Sequence, residues 1–172
     1  MDITNDAQLQ AMIRNDLKAV IDDVIDKIIE ENKDLIDEIV YSQRVNPTYA
    51  TEMGGQPTYQ FRESWDGDTK INGDKVEGEF YQNTDENNPM NYYPYSYIHG
   101  SLASGYIGQA LAEIIYEGKS GDIWGDGYWT QPRDVWTPLI QKIDTKLDDW
   151  IIAAFAKRGI TARKGTAGKI YW

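Results

Sequence analysis

The feature that most constrains the fold is an apolar stripe that runs through the first forty residues. Apolar side chains recur there at spacings of three and four, which predicts one long helix over residues 6–41. The stripe consists of Leu9, Met12, Ile13, Leu17, Val20, Ile21, Val24, Ile25, Ile28, Ile29, Leu35, Ile36, Ile39 and Val40. Thr4 or Asn5 can cap the first turn. The polar run over residues 30–34 marks a point where the helix could kink or divide.

The stripe is two residues wide, because apolar pairs such as Val20-Ile21 and Val24-Ile25 lie side by side. That width exceeds what the narrow seam of a coiled coil needs. One interpretation is a helix packed on a sheet of its own chain. The other is that one edge of the stripe meets a neighbouring subunit.

A β-hairpin is predicted over residues 67–82. Two short strands, residues 69–71 and 75–81, flank an Asn72-Gly73 turn, which is a strong local hairpin signal. Apolar and polar residues alternate in the second strand, so one face should be apolar and the other solvated. The apolar set is Val76, Gly78 and Phe80, and the polar set is Glu77, Glu79 and Tyr81.

Two further periodic segments flank a loop rich in Gly and Trp. Residues 101–117 predict a helix that ends at Gly118. A last helix is expected to begin with Thr137 as its cap and Pro138 as its first residue, and to end at Gly159.

The order of these elements predicts an α+β fold. In it, a long N-terminal helix and a C-terminal helix pack on a small antiparallel sheet with long loops. We expect a single domain over residues 1–160 and a basic tail over residues 161–172.

Charge is distributed unevenly along the chain. The net charge is −11, yet from Lys157 onward there are five bases and no acid. An acidic body of this kind repels nucleic acid. The basic tail has three interpretations: it contacts phosphate, it contacts an acidic neighbour, or it is solvated without a partner.

Catalytic signatures are absent from the sequence. There is no cysteine and a single histidine, His99. The phosphate-binding, dinucleotide-binding and nucleophile-elbow glycine motifs are all missing. We therefore predict a protein that is not an enzyme and has no cofactor and no metal. No apolar run is long enough to span a bilayer and the first residues are polar and acidic, so we expect no membrane association and folding in the cytosol.

The Trp-rich loop over residues 122–136 and the last two residues are the candidate binding surface. Trp, Tyr and Arg are the preferred anchors of protein interfaces, although aromatic rings can also stack on a sugar, as in carbohydrate-binding modules. Packing of individual rings in the core is a third interpretation. The predicted interface residues are Trp124, Tyr128, Trp129, Arg133, Trp136, Tyr171 and Trp172.

Two segments of the chain together resemble the head–tail joining (tail-completion, minor capsid) proteins of tailed bacteriophages. The first covers residues 41–66, with Tyr41, Pro47-Thr48-Tyr49 and the run Phe61-Arg62-Glu63-Ser64-Trp65-Asp66. The second begins with the run Ala112-Glu113-Ile114-Ile115-Tyr116-Glu117-Gly118 and continues through the Trp loop, Arg133 and Pro138 into the closing helix. Both are similar to the family's pattern and occur in the same order.

The resemblance implies a structural ring subunit at the phage neck, made in the host cytoplasm and incorporated into the virion. Such a subunit would form a homo-oligomeric ring. Its neighbours would be the portal or adaptor proteins on one side and the tail tube or tail terminator on the other. DNA would pass through the lumen without sequence-specific contact, and an acidic lumen would keep it from adhering.

Overall fold

The computed structural model describes residues 5–42, 60–83, 115–118, 131–165 and 170–171. Helix α1 (Asp6–Ile36) continues into a π-helical turn (Asp37–Tyr41), and α2 (Gln60–Glu63) precedes the hairpin strands β1 (Trp65–Asn72) and β2 (Lys75–Gln82). Helix α3 (Trp136–Ala156) is followed by two short strands, β3 (Arg163–Lys164) and β4 (Ile170–Tyr171). The predicted α+β class is thus confirmed: the chain has a long N-terminal helix, a C-terminal helix and small antiparallel sheet structure, which consists of two separate two-stranded sheets, β1–β2 and β3–β4.

Helix α1 begins where the sequence indicates. The backbone N–H of Gln8 donates to Oδ1 of Asn5 at 2.9 Å, so Asn5 is the N-cap. The helix runs without interruption through the polar residues 30–34, where a kink or a division was a possible outcome. The change in backbone hydrogen bonding comes later, at the π-helical turn that starts at Asp37.

The chain forms two compact units. The first comprises residues 1–30, 67–81 and 140–172, and the second comprises residues 31–66 and 82–139. The predicted boundary at residue 160 between a domain and a basic tail stays a prediction.

In the first unit, the hairpin lies directly on α1 because two glycines leave room for it. A Cβ at Gly78 would lie 2.6 Å from Cγ2 of Ile21 and 2.9 Å from Cδ1 of Ile25. A Cβ at Gly67 would collide with Ile25 and lie 2.9 Å from the carbonyl oxygen of Glu79. The predicted apolar face of β2 is thus the one that meets the helix.

The hairpin turn differs from the prediction by one residue. It consists of Gly73 and Asp74 rather than Asn72 and Gly73, and Gly73 adopts a φ of 61°. Arg14 on α1 fastens this turn, since its Nη1 donates to the Gly73 carbonyl at 2.9 Å and to Oδ1 of Asp74 at 3.2 Å.

Gly159 terminates helix α3 as predicted, three residues after the last helical residue, Ala156. Gly159 has a φ of 71°, and the N–H groups of Gly159 and Ile160 donate to the carbonyls of Ala156 and Phe155. That pair of bonds is the Schellman motif, which needs a left-handed residue at Gly159.

Strand β3 pairs antiparallel with β4, with Arg163 opposite Tyr171. Nζ of Lys164 lies 2.6 Å from Oδ2 of Asp148, and this ion pair holds β3 against α3.

The prediction for the start of α3 is wrong by two residues. The helix begins at Trp136, and Oδ1 of Asp134 accepts the N–H of Thr137 at 3.0 Å, so Asp134 provides the cap. Pro138 falls inside the first turn, where it costs no hydrogen bond because the first N–H groups have no partner within the helix. The first backbone bond comes from Leu139 to Val135, at 3.2 Å.

Candidate assembly surface

The two segments that carry the family resemblance meet in the core of the second unit. The ring of Phe61, from the first segment, packs edge-on against Tyr116 of the second, with centroids 5.6 Å apart. Trp65 packs in the same way against Trp136 at 5.1 Å. Phe61 and Trp65 also contact each other at 6.2 Å. One aromatic cluster therefore joins residues that lie as much as 75 positions apart in the chain.

Arg133 links three parts of this unit. Its Nη1 donates to the Val40 carbonyl at 2.8 Å, and its backbone N–H donates to the Ile115 carbonyl at 3.2 Å. The side chain is 6% exposed, and burial lowers the pKa of the guanidinium. The structure thus places Arg133 in the core of the second unit, and its predicted role at a protein interface stays a prediction.

A row of ion pairs fixes α2 against the end of α1. Arg62 donates from Nη1 to Oδ2 of Asp37 at 2.8 Å and from Nε to Oε1 of Glu63 at 2.9 Å, while Lys33 lies 2.5 Å from Oε2 of Glu63. The hydrogen bond to Asp37 raises the pKa of Arg62, and the bond from Lys33 lowers that of Glu63. Burial raises the pKa of the neighbouring Tyr41 to about 12. The Phe-Arg-Glu-Ser-Trp run is therefore built into the scaffold of this unit.

The other predicted interface residues fall into two groups. Trp124, Tyr128, Trp129 and Trp172 lie outside the described residues. Trp136 is 39% exposed, and its ring makes a T-shaped contact with Trp65. Tyr171 lies in β4, where its backbone pairs with that of Arg163.

Large apolar side chains are exposed in the first unit, some of them in the α1 stripe and others on the hairpin and α3. The first buried residue of α1 is Val20, so the preceding turns carry part of the apolar stripe into solvent. We call residues 6–19 of α1 the amino-terminal arm. The exposed apolar residues are Leu9 (39%), Met12 (44%) and Ile13 (41%) on the arm, Ile71 (43%) on the hairpin and Ile140 (53%) on α3.

Helix α3 shows a similar pattern in the first unit. Ala154 and Phe155 are buried, but none of residues 140–153 is. Ile140 is exposed, and Ile143 and Leu147, which follow it at helical spacing, are only half-buried. We call these three residues the α3 face. No spacing distinguishes them from core residues, so the sequence alone predicts only that they share one side of the helix.

Comparison of the chain with models of known protein families, with curated proteins and with solved structures gave no match. Within the described ranges, no helix combines the length and the apolar character needed to cross a membrane. In the same part of the chain, no three His, Asp or Glu side chains are grouped so that they could hold a metal ion.

Proposed function

We propose that this protein is a structural ring subunit of a tailed-phage neck, which joins the portal–adaptor complex to the tail and lines part of the DNA channel. The proposal comes from the family resemblance. The observation that carries it is the aromatic cluster of the second unit, in which Phe61 and Trp65 pack on Tyr116 and Trp136.

This cluster gives the resemblance a physical basis. The matching residues come from two stretches that lie far apart in the sequence, and a chance likeness would not require them to touch. Here the aromatic rings of one stretch pack on those of the other, and Arg133 bonds to carbonyls at residues 40 and 115. Those of the quoted residues that the structure describes in these contacts thus belong to one packed core, which is the part of a fold that a family's pattern records.

The surface of the first unit suits a subunit that assembles around DNA. A ring subunit needs two different lateral surfaces, because each copy meets one neighbour on each side. The exposed apolar residues of the amino-terminal arm and of the α3 face are candidates for them. The outer side of the hairpin carries exposed acids at residues 68, 77 and 79 and exposed lysines at residues 70 and 75, and Nζ of Lys70 lies 3.6 Å from Oε2 of Glu79, so the proposed repulsion of DNA rests on the acidic net charge of the whole chain.

The test is electron microscopy of tailed particles assembled with an epitope-tagged copy of the chain and labelled with gold-conjugated antibody. The proposal expects label at the junction of head and tail. Label elsewhere on the particle, or particles that lack the chain, would overturn it.

The alternative is a carbohydrate- or surface-binding module that uses the Trp loop 122–136. It predicts a monomer whose Trp fluorescence changes on titration with glycans and which joins no particle. Glycan titration of the purified chain and gold labelling of the assembled particles together separate the two functions.

A further inference from the structure

We infer that Asn72 is a site of spontaneous deamidation, at which its side-chain amide converts to a carboxylate through a cyclic imide with Gly73. Arg14 of the amino-terminal arm controls the rate, because it holds the hairpin turn closed through its bonds to Gly73 and Asp74. The site lies in the first unit and is independent of the proposed function.

The residue pair at the end of β1 is the one best suited to this reaction. Asn72 is the only asparagine of the chain that is followed by glycine. Imide formation begins when the backbone nitrogen of the next residue attacks Cγ of the asparagine. A side chain on that next residue hinders the attack, and glycine has none. A Cβ at Gly73 would meet nothing within 4 Å, so the space beside this residue is open as well.

The reaction needs no reagent other than water. The Gly73 nitrogen forms a bond to Cγ of Asn72, and the bond from Cγ to Nδ2 breaks. Nδ2 leaves as ammonia together with the proton that the Gly73 nitrogen gives up. Water then opens the imide at either of its two carbonyls. One product is aspartate, and the other is isoaspartate, in which the backbone runs through the former side chain.

The Asn72 amide is accessible to water and is not held by a partner. Asn72 is exposed at the last position of β1. Within the described ranges, its side chain makes no hydrogen bond. The side chain of the adjacent turn residue Asp74 is 98% exposed. Water can therefore reach the imide and ammonia can leave it.

The closed hairpin keeps Asn72 in an unreactive conformation. In a strand, ψ lies near about +135°, which turns the Gly73 nitrogen away from Cγ of Asn72. The peptide between the two residues must therefore rotate, and this rotation requires the end of the hairpin to open. Arg14 opposes opening, since its Nη1 donates to the Gly73 carbonyl at 2.9 Å and to Oδ1 of Asp74 at 3.2 Å.

The two products differ in their effect on the contact between arm and hairpin. Aspartate adds a negative charge beside Asp74 and leaves the backbone unchanged. Isoaspartate lengthens the backbone by one carbon atom, which displaces Gly73 and Asp74 from their positions opposite Arg14. Formation of isoaspartate therefore releases the arm from the hairpin turn.

The test follows Asn72 in the purified full-length chain during incubation at mildly alkaline pH. Mass spectrometry of the proteolytic peptide that contains Asn72 measures the deamidated fraction over time. An isoaspartate assay identifies the imide route, because direct hydrolysis of the amide produces aspartate alone. A synthetic peptide of residues 68–78 gives the rate without the folded turn. Asn15, which is exposed on α1 and precedes an aspartate, serves as an internal comparison.

Three variants separate the reaction from its control by the arm. Arg14→Ala removes the contact with the turn. Lys146→Ala removes an exposed base from α3 and controls for the change in net charge. Asn72→Gln lengthens the side chain by one carbon, so that the five-membered imide cannot form. Circular dichroism of each variant verifies that the helices remain intact.

The unaltered chain should deamidate at Asn72 more slowly than the synthetic peptide but faster than at Asn15, with isoaspartate among the products. Arg14→Ala should react about two- to fivefold faster, which is the scale for loss of one partly exposed charged contact when the open population sets the rate. Lys146→Ala should react like the unaltered chain, and Asn72→Gln should form no isoaspartate at this position.

Three results would overturn the inference. Asn72 that stays unmodified while the synthetic peptide converts completely would remove the site. Aspartate without isoaspartate would exclude the imide. Equal rates for Arg14→Ala and the unaltered chain would show that the arm does not control the reaction.

Discussion

Nη1 of Arg158 lies 2.6 Å from Oδ2 of Asp23, a residue 135 positions earlier in the chain. The same guanidinium donates from Nη2 to the Ala19 carbonyl at 2.6 Å and from Nη1 to the Ala154 carbonyl at 2.7 Å. Nζ of Lys157 adds a longer ion pair to Asp23, at 3.6 Å. The two residues that follow α3, Lys157 and Arg158, therefore hold this end of the helix against the middle of α1 by charge-assisted hydrogen bonds.

The Asp23–Arg158 pair should make stability depend on pH in the acid range. The hydrogen bond from Arg158 lowers the pKa of Asp23 below its ordinary value of 3.8. The carboxylate thus contributes its full stabilisation above about pH 4 and loses it as pH falls through the lower folded pKa. Asp23→Asn should lower the free energy of unfolding by about 1 kcal/mol at pH 7, since the pair is partly exposed.

Urea unfolding at pH 7 and pH 3 measures this effect. The difference between Asp23→Asn and the unaltered chain should shrink at the lower pH. Asp26→Asn, which changes an exposed carboxylate on the same helix, is the control and should change the unfolding free energy little at either pH. An equal loss for Asp23→Asn at both pH values would contradict the assignment.

Substitution of Gly67 or Gly78 by alanine should lower the free energy of unfolding, by different amounts at the two positions. A Cβ at Gly78 meets only side-chain atoms of Ile21 and Ile25, whereas a Cβ at Gly67 also meets the Glu79 backbone. Side chains can shift more readily than the strand. Overpacking of this kind costs about 1–3 kcal/mol, with Gly67→Ala expected at the upper end and Gly78→Ala at the lower end.

Chemical denaturation of the two glycine variants gives the comparison. Gly73→Ala serves as a reference, because a Cβ there meets nothing within 4 Å and its cost comes from the φ of +61° alone. If both Gly67→Ala and Gly78→Ala were as stable as the unaltered chain, the close approach of hairpin and helix would be refuted.

The cap of α3 should depend on Asp134. Asp134→Ala removes the acceptor of the Thr137 N–H and should cost about 1 kcal/mol. Asp134→Asn keeps an acceptor oxygen and should recover most of that loss. Thermal unfolding of the two variants side by side tests the assignment, which fails if Asn and Ala are equally destabilising.

Arg133 should contribute to stability through its buried hydrogen bonds. Arg133→Ala leaves the Val40 carbonyl without its donor and opens a cavity, so we expect a loss of about 2–4 kcal/mol. Arg163→Ala changes an exposed arginine and should alter the unfolding free energy by less than about 0.5 kcal/mol. Equal unfolding midpoints for the two variants in urea would show that Arg133 is not part of the core.

Local signals account for what the sequence predicted correctly. The cap at Asn5, the end of α3 at Gly159 and the hairpin each follow from a few adjacent residues. The start of α3 was misplaced because Asp134 and Thr137 are both good caps, and the Thr137-Pro138 pair imitates a helix start.

Burial is harder to predict because it depends on distant parts of the chain. Leu9 and Val20 belong to one periodic stripe, yet Leu9 is exposed and Val20 is 2% exposed. Arginine is rarely buried. Arg133 lies in a core only because its hydrogen bonds to the carbonyls of residues 40 and 115 bring distant parts of the chain together. The Trp loop residues 124, 128 and 129 lie outside the described part of the chain, so their predicted role is carried by composition alone.

The central claim, that this chain is a ring subunit, is tested most directly by class-averaged electron micrographs of the purified protein at high concentration. The account predicts closed rings with a single copy number. Particles no larger than one chain at every concentration, with or without phage neck proteins present, would contradict it.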